Sequence, residues 1–328
     1  MCPEFPQSDG STGFPTSCYY IRHFDRYKIG ITLHLACYLP AGLLAAFQFV
    51  PGIRHRFIWY HRITGYICIV LALLGNAGAA MLADTAMGGE MAFAVTLGLV
   101  VIGTFFTFSF AIYNIRRKQL DGHRAWMIRT WAYIGYIITI RLVQMTIVAV
   151  NNRWPQMSEH VAIQCAELRY IYFNDRQLGE GPFTQQAWDA FVAAYPTCED
   201  DALIYTNYAA VKGLVNPNDV GQTNAAFMTP FAGASALALA INVAIAEIYL
   251  WLTPAETERL RRISYQKQLK LGYKNPGLAG LVGIGDVNWT PPAELLPPQP
   301  SHASSSGSVS ETGPIDKDVR GVVSESKV

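Results

Sequence analysis

Apolar residues arrive in five long blocks, at 29–50, 63–82, 91–113, 126–150 and 231–252. Short polar stretches separate the first four, and one long stretch precedes the fifth. No block alternates with the two-residue period of a half-buried strand, and each reaches the roughly 20 residues that a bilayer-crossing helix needs. The pattern predicts five transmembrane helices. Pro51-Gly52 ends the first block and Thr253-Pro254 follows the last. Pro40 sits inside the first, where it removes a backbone hydrogen bond and predicts a kink. The expected fold class is all-α, a polytopic membrane helix bundle with a long outer loop and a disordered C-terminal tail.

The chain divides accordingly. Residues 1–28 form an N-terminal outer segment, and 29–150 a four-helix membrane core. Residues 151–229 form an acidic loop, 230–253 the fifth helix, and 254–328 a basic segment with its tail. Within the loop, TQQAWDAFVAAYP predicts a short helix with Thr184 as N-cap and Pro196 as stop. From about Asn275 the chain is rich in Pro, Ser and Gly, a composition that buries too little apolar surface to fold.

Composition agrees. Of 328 residues, 51% are hydrophobic and 15% charged, with mean hydropathy +0.18. Soluble domains carry about 25% charged residues. Net charge is only +1, so nothing points to nucleic acid. Residues 1–27 hold no apolar run, and the first membrane helix is expected to act as the targeting signal.

The placement of charge says more than its sum. Arg54, Arg56 and Arg62 follow the first helix, and Arg116, Arg117, Lys118 and Arg124 follow the third. Arg259, Arg261, Arg262, Lys267 and Lys270 follow the fifth. With five spans these segments share one face, which the positive-inside rule makes cytoplasmic. The N-terminus and residues 151–229 are then outside, and the C-terminus is cytoplasmic. The outer loop holds four basic and nine acidic residues. Its Cys165 and Cys198 are candidates for a disulfide in an oxidising compartment. Asn288-Trp289-Thr290 is a glycosylation sequon that this topology leaves unmodified.

Polar residues at membrane depth fall into two layers. On the cytoplasmic side lie Gln48, His61, Arg62, His123, Arg124, Arg129 and Glu247. On the outer side lie His34, Asp84, Arg141 and Gln144, with Asn76 and Asn242 between the layers. An unpaired charge at that depth costs roughly 2.5–3.5 kcal/mol on insertion scales, so partners at matching depth are expected. Glu247 suits Arg129, and Asp84 suits Arg141. Residues 61, 62, 123 and 124 also read as interfacial anchors whose arginines snorkel to phosphate. Small residues at Gly75, Gly78, Ala79 and Ala80, and at 233–236, predict close helix packing.

The ordered polar set resembles a known family. His34, Gly42 and Gln48-Phe49 come first, then Arg54 and His61-Arg62-Ile63-Thr64-Gly65, then Gly88-Gly89. His123-Arg124-Ala125-Trp126-Met127-Ile128-Arg129 and Arg141 follow. In this series the chain is similar, over about residues 30–150, to the predicted membrane proteins grouped as domain of unknown function 2306. The most specific part is the His-Arg-x-Trp-Met-x-Arg string. The resemblance implies a helical fold in a membrane and supplies no activity.

Three functional classes fit. One is a site for a lipophilic or anionic ligand, with His61, Arg62, His123, Arg124, Trp126, Arg129 and Glu247 as candidates. It extends to a redox protein, in which His61 and His123 ligate haem or the arginines hold a quinone carbonyl. A second is a membrane enzyme using His61 or His123 with Glu247 or Asp84 for acid–base chemistry on a lipophilic substrate. The third is a transporter or sensor built on a charge relay. No nucleotide-binding loop, HExxH or nucleophile elbow occurs, which argues against soluble nucleotide chemistry.

Overall fold

A computed structural model describes residues 15–50, 52, 56–86, 91–174, 183–280 and 289–296. The chain divides into two units, 1–290 and 291–328. Among the described residues the second unit holds one 3-10 turn, Ala293–Leu295.

A short helix α1 (Pro15–His23) leads into α2 (Asp25–Gln48). Then come α3 (Ile58–Ala80), α4 (Met91–Arg116) and α5 (Leu120–Arg153). The loop 151–229 contains β1 (His160–Gln164), α6 (Cys165–Phe173), α7 (Gln185–Ala194), β2 (Tyr208–Lys212) and α8 (Val220–Met228). The chain continues through α9 (Phe231–Leu252) to α10 (Pro254–Lys270). Five helices are long and apolar enough to cross a membrane, at the places the apolar blocks mark. Leu39, Ile138, Leu142 and Trp251 are among the large apolar side chains exposed on them, as a lipid-facing surface requires.

Two packing units build the bundle. Helix α2 lies along α3, and α5 lies between α4 and α9. The α2–α3 contact depends on glycine. A Cβ on Gly78 would sit 2.6 Å from the His34 nitrogen and 2.7 Å from the Gly30 oxygen. One on Gly75 would enter the Tyr38 ring at 2.4 Å. Polar side chains then stitch the units together. Tyr38 donates to Asn76 Oδ1 at 2.6 Å, and Asn76 Nδ2 to Thr104 Oγ1 at 2.7 Å, joining α2, α3 and α4. Such bonds hold helices together where water offers no alternative partner. The α2 helix runs from residue 25 to residue 48 through Pro40.

Helices α5 and α9 are antiparallel but unequal, with 34 and 22 residues. At 1.5 Å per residue these are roughly 51 and 33 Å long. Arg124 meets Thr253, Arg129 meets Glu247, Thr139 meets Asn242, and Gln144 meets the Phe227 carbonyl. The last turns of α5 therefore extend past the start of α9.

They extend into a folded domain rather than a plain loop. Strands β1 and β2 pair antiparallel, His160 opposite Lys212 and Gln164 opposite Tyr208. The small sheet is a departure from the purely helical expectation. Thr184 caps α7, its side chain accepting from the Ala187 nitrogen at 3.2 Å, and Pro196 follows the helix. Cys165 and Cys198 form a disulfide, and Cys18 is disulfide-bonded as well. The core gathers Phe173, Phe183, Phe191, Tyr195 and Leu168, and Tyr19 of α1 belongs to it. The N-terminal helix is thus part of this domain and not a separate segment.

The other end carries a second difference. The Pro/Ser/Gly-rich tail begins ordered. Residues 275–280 return to the bundle, and Trp289 donates to Glu258 at 2.9 Å. Gly277 adopts φ +89°, which a side chain would resist, and a Cβ there would strike the Trp289 ring at 2.4 Å. Residues 297–328 lie outside the described residues, as do Arg54, Gly88-Gly89 and Asn288 of the sequon.

Candidate functional site at the basic end

The ends of α4 and α9 and the starts of α3 and α5 form one end of the bundle, where the basic segments lie. The His123 string opens α5 there. Its residues project in several directions because a helix turns about 100° per residue.

His123 faces α4, and its Nδ1–H donates to the Ala111 carbonyl at 2.9 Å. Arg124 faces α9 and α10. Its Nη2 donates to Thr253 Oγ1 at 2.8 Å and its Nη1 to Thr257 Oγ1 at 3.4 Å. Both hydroxyls spend their own protons on backbone carbonyls, of Tyr249 and Thr253, so they are set as acceptors. The Tyr249 ring lies 5.5 Å below the guanidinium. No carboxylate pairs with Arg124 among the described residues.

One turn further along, Arg129 is paired with a carboxylate. Its Nε and Nη2 reach the two oxygens of Glu247 at 2.6 and 2.8 Å. The Trp126 ring covers the guanidinium at 4.9 Å and packs on Phe110 at 4.8 Å. A bidentate fork on a carboxylate is the strongest geometry available to arginine. Glu247 nevertheless remains 48% exposed, so the pair lies at the surface of the α5–α9 seam. His61 and Arg62 stand at the same end on α3, half-buried and exposed respectively. The α5–α9 seam is built without them. Gln48 donates to Thr64 instead, tying α2 to α3.

The best-built polar cluster at this end was not singled out by the sequence. Asp121, in the first turn of α5, accepts from Arg261 Nε of α10 at 2.9 Å. The two side chains are 3% and 6% exposed. Gln119 and Ser264 also donate to Asp121, at 2.7 and 3.3 Å. Gln119 Nε2 reaches the Gly277 carbonyl at 2.7 Å, and Gln268 accepts from the Gly277 nitrogen at 2.6 Å. The available signal was a single acid in a basic turn, followed by polar residues 261, 264 and 268 at helical spacing. That stripe resembles a solvated face. The cluster holds α10 and the returning chain against α5.

At the opposite end, Asp84 does not meet Arg141. It accepts from Arg26 and from the Tyr27 hydroxyl, both at 3.2 Å. The cause is the close α2–α3 approach, which brings the start of α2 to the turn after α3. Arg141 instead donates to Gln144 at 3.0 Å and lies 5.6 Å from the Phe231 ring. Phe231 begins α9, so Arg141 is near the edge of the span and not in its middle. His34 Nδ1–H donates to the Gly75 carbonyl at 3.0 Å, a helix-to-helix bond.

Five membrane-length helices, joined by buried polar bonds and paired charges, define a polytopic helical membrane protein. Residues 31–169 match the family model of DUF2306, described as a predicted membrane protein. The resemblance carried by the His-Arg motifs is borne out at the level of the family. None of the curated proteins and none of the solved structures matches the chain.

Proposed function

We propose that the protein binds the anionic head of a lipophilic ligand at its basic end, with Arg124 as the anchoring cation. The observation that carries this reading is Arg124 itself. Two hydroxyls and one aromatic face hold its guanidinium in place, yet no carboxylate neutralises it among the described residues. An arginine fork suits a phosphate or carboxylate. Trp126 and Tyr249 offer apolar surface beside it for the ligand's hydrocarbon part. Glu247 is taken up by Arg129, and His123 by the Ala111 carbonyl. Anion binding is therefore better supported than acid–base chemistry at these residues.

Delipidated protein titrated with a short-chain phosphatidic acid is expected to bind it at least tenfold more tightly than the matching phosphatidylcholine. Arg124→Ala is expected to remove that preference, a loss of about 1.5–3 kcal/mol for a charge-assisted bond. Equal affinity for the two lipids in the unaltered protein would remove the basis of the reading.

The same proposal places the basic end in the cytoplasm. Lys and Arg crowd that end, and the disulfides, at Cys165–Cys198 and at Cys18, lie at the other. Cysteine placed at exposed Tyr205 is expected to react with an impermeant maleimide on intact cells, whereas cysteine at Lys270 reacts only after permeabilisation. The reverse pattern would invert the topology.

A further inference from the structure

Glu167 is a buried carboxyl group of the disulfide-bonded domain. It lies in the first turn of α6 and is 3% exposed. Tyr20 of α1 donates to its Oε2 at 3.0 Å. Its Oε1 is buried and has no hydrogen-bond partner among the described residues. No cation pairs with it there, since Arg169 of the same helix is drawn to Asp201. A carboxylate left in this condition is far more expensive than a carboxylic acid. Burial accordingly pushes Glu167 up to about 7, against a smaller downward pull from the Tyr20 hydrogen bond.

The position matters as much as the charge. The seam that contains Glu167 is where α1 joins the domain. Tyr19 of α1 enters the core beside Tyr170, at 5.6 Å between rings, and His23 packs on Tyr170 at 5.8 Å. A cleft of about 360 Å³, lined in part by Tyr19, His23, Arg169, Tyr170 and Asp201, opens along the same seam. It brings water to the edge of the contact. The titratable groups facing the seam include Tyr19, Tyr20 and His23 from α1, Arg169 and Tyr170 from α6, and Asp201 and Tyr205. Tyr208 of β2 is felt by Tyr20.

We propose that Glu167 is a proton-operated clasp, which seats α1 on the domain in acid and loosens it near neutrality. The seated state holds a proton that the open state releases. The clasp is thus fully engaged below the ordinary carboxylate range, weakens as pH rises, and reaches its weakest level above about 7. Over that window the seating equilibrium changes by roughly three hundredfold, since each unit of pKa difference is a factor of ten.

The test is hydrogen exchange of α1 in the full-length protein in detergent micelles, corrected for intrinsic rates, between pH 5 and pH 8. Opening of α1 is expected to rise up to about tenfold per pH unit toward neutrality and to level off above about pH 7. Glu167→Gln keeps the shape without the charge, and its α1 is expected to stay protected at every pH. His23→Gln is expected to keep the original profile. A flat profile in the unaltered protein, a persisting slope in E167Q, or loss of the slope in H23Q would each overturn the proposal. Should E167Q fail to fold, Tyr20→Phe carries the test. It removes the hydrogen bond that favours the carboxylate, so the levelling point moves to higher pH, and an unmoved point overturns the clasp.

Discussion

Replacing Asp121 with alanine will release α10 and the returning chain from the bundle and lower the thermal midpoint in detergent on the order of 10 °C. The expectation follows from what the substitution leaves behind. Arg261 is 6% exposed on its side chain and its Nε donates to Asp121. Removing the acid breaks a buried ion pair, a change that costs about 3–5 kcal/mol. Gln119 and Ser264 lose an acceptor in the same step. The double variant Asp121→Leu with Arg261→Met takes out both charges and is expected to recover most of the loss, because an apolar pair of similar volume carries no stranded charge. A single variant as stable as the original protein would show that the cluster is solvated and not structural.

Gly78→Val will separate α2 from α3 and abolish the folded state. Even a single added carbon would stand 2.6 Å from the His34 nitrogen and 2.7 Å from the Gly30 oxygen. Both are backbone atoms, so no side-chain rotation relieves the clash. Overpacking in a core costs about 1–3 kcal/mol when neighbours can move, and here an entire helix must move. The His34–Gly75 and Tyr38–Asn76 bonds lie in the same contact and would be lost with it. Gly98 and Gly103 are the controls, since a Cβ at either meets nothing within 4 Å. Alanine at those two positions is expected to leave the yield of folded, detergent-stable protein unchanged. Folded Gly78→Val at normal yield would contradict the α2–α3 packing.

What the sequence revealed depended on how local the cause was. The five spans are set by the length of the apolar runs, which is visible without any partner. The Arg129–Glu247 pair followed from counting depth along two helices that run in opposite directions. Arg141 failed the same count. The depth scale treated its helix as spanning from end to end, whereas α5 has 34 residues against 22 in α9 and extends beyond it. Asp84 was assigned by depth alone, while a glycine contact between α2 and α3 decided its neighbours. Asp121 and Arg261 are 140 residues apart, and each alone resembles a solvated charge. Residues 275–280 look like linker because glycine is there to fit against Gln119 and Trp289, a reason no composition shows. The β1–β2 pair was hidden for a similar cause, being two five-residue strands whose partner lies across the domain.

Mass spectrometry of the protein released from mild detergent tests the central claim most directly. The unaltered chain is expected to retain an anionic, lipid-soluble species at one equivalent. Arg124→Ala is expected to lose it, while Arg62→Ala, at the same end but outside the α5–α9 seam, keeps it. Equal retention of the same species by all three proteins, or no anionic species on the unaltered one, would contradict a ligand site at Arg124.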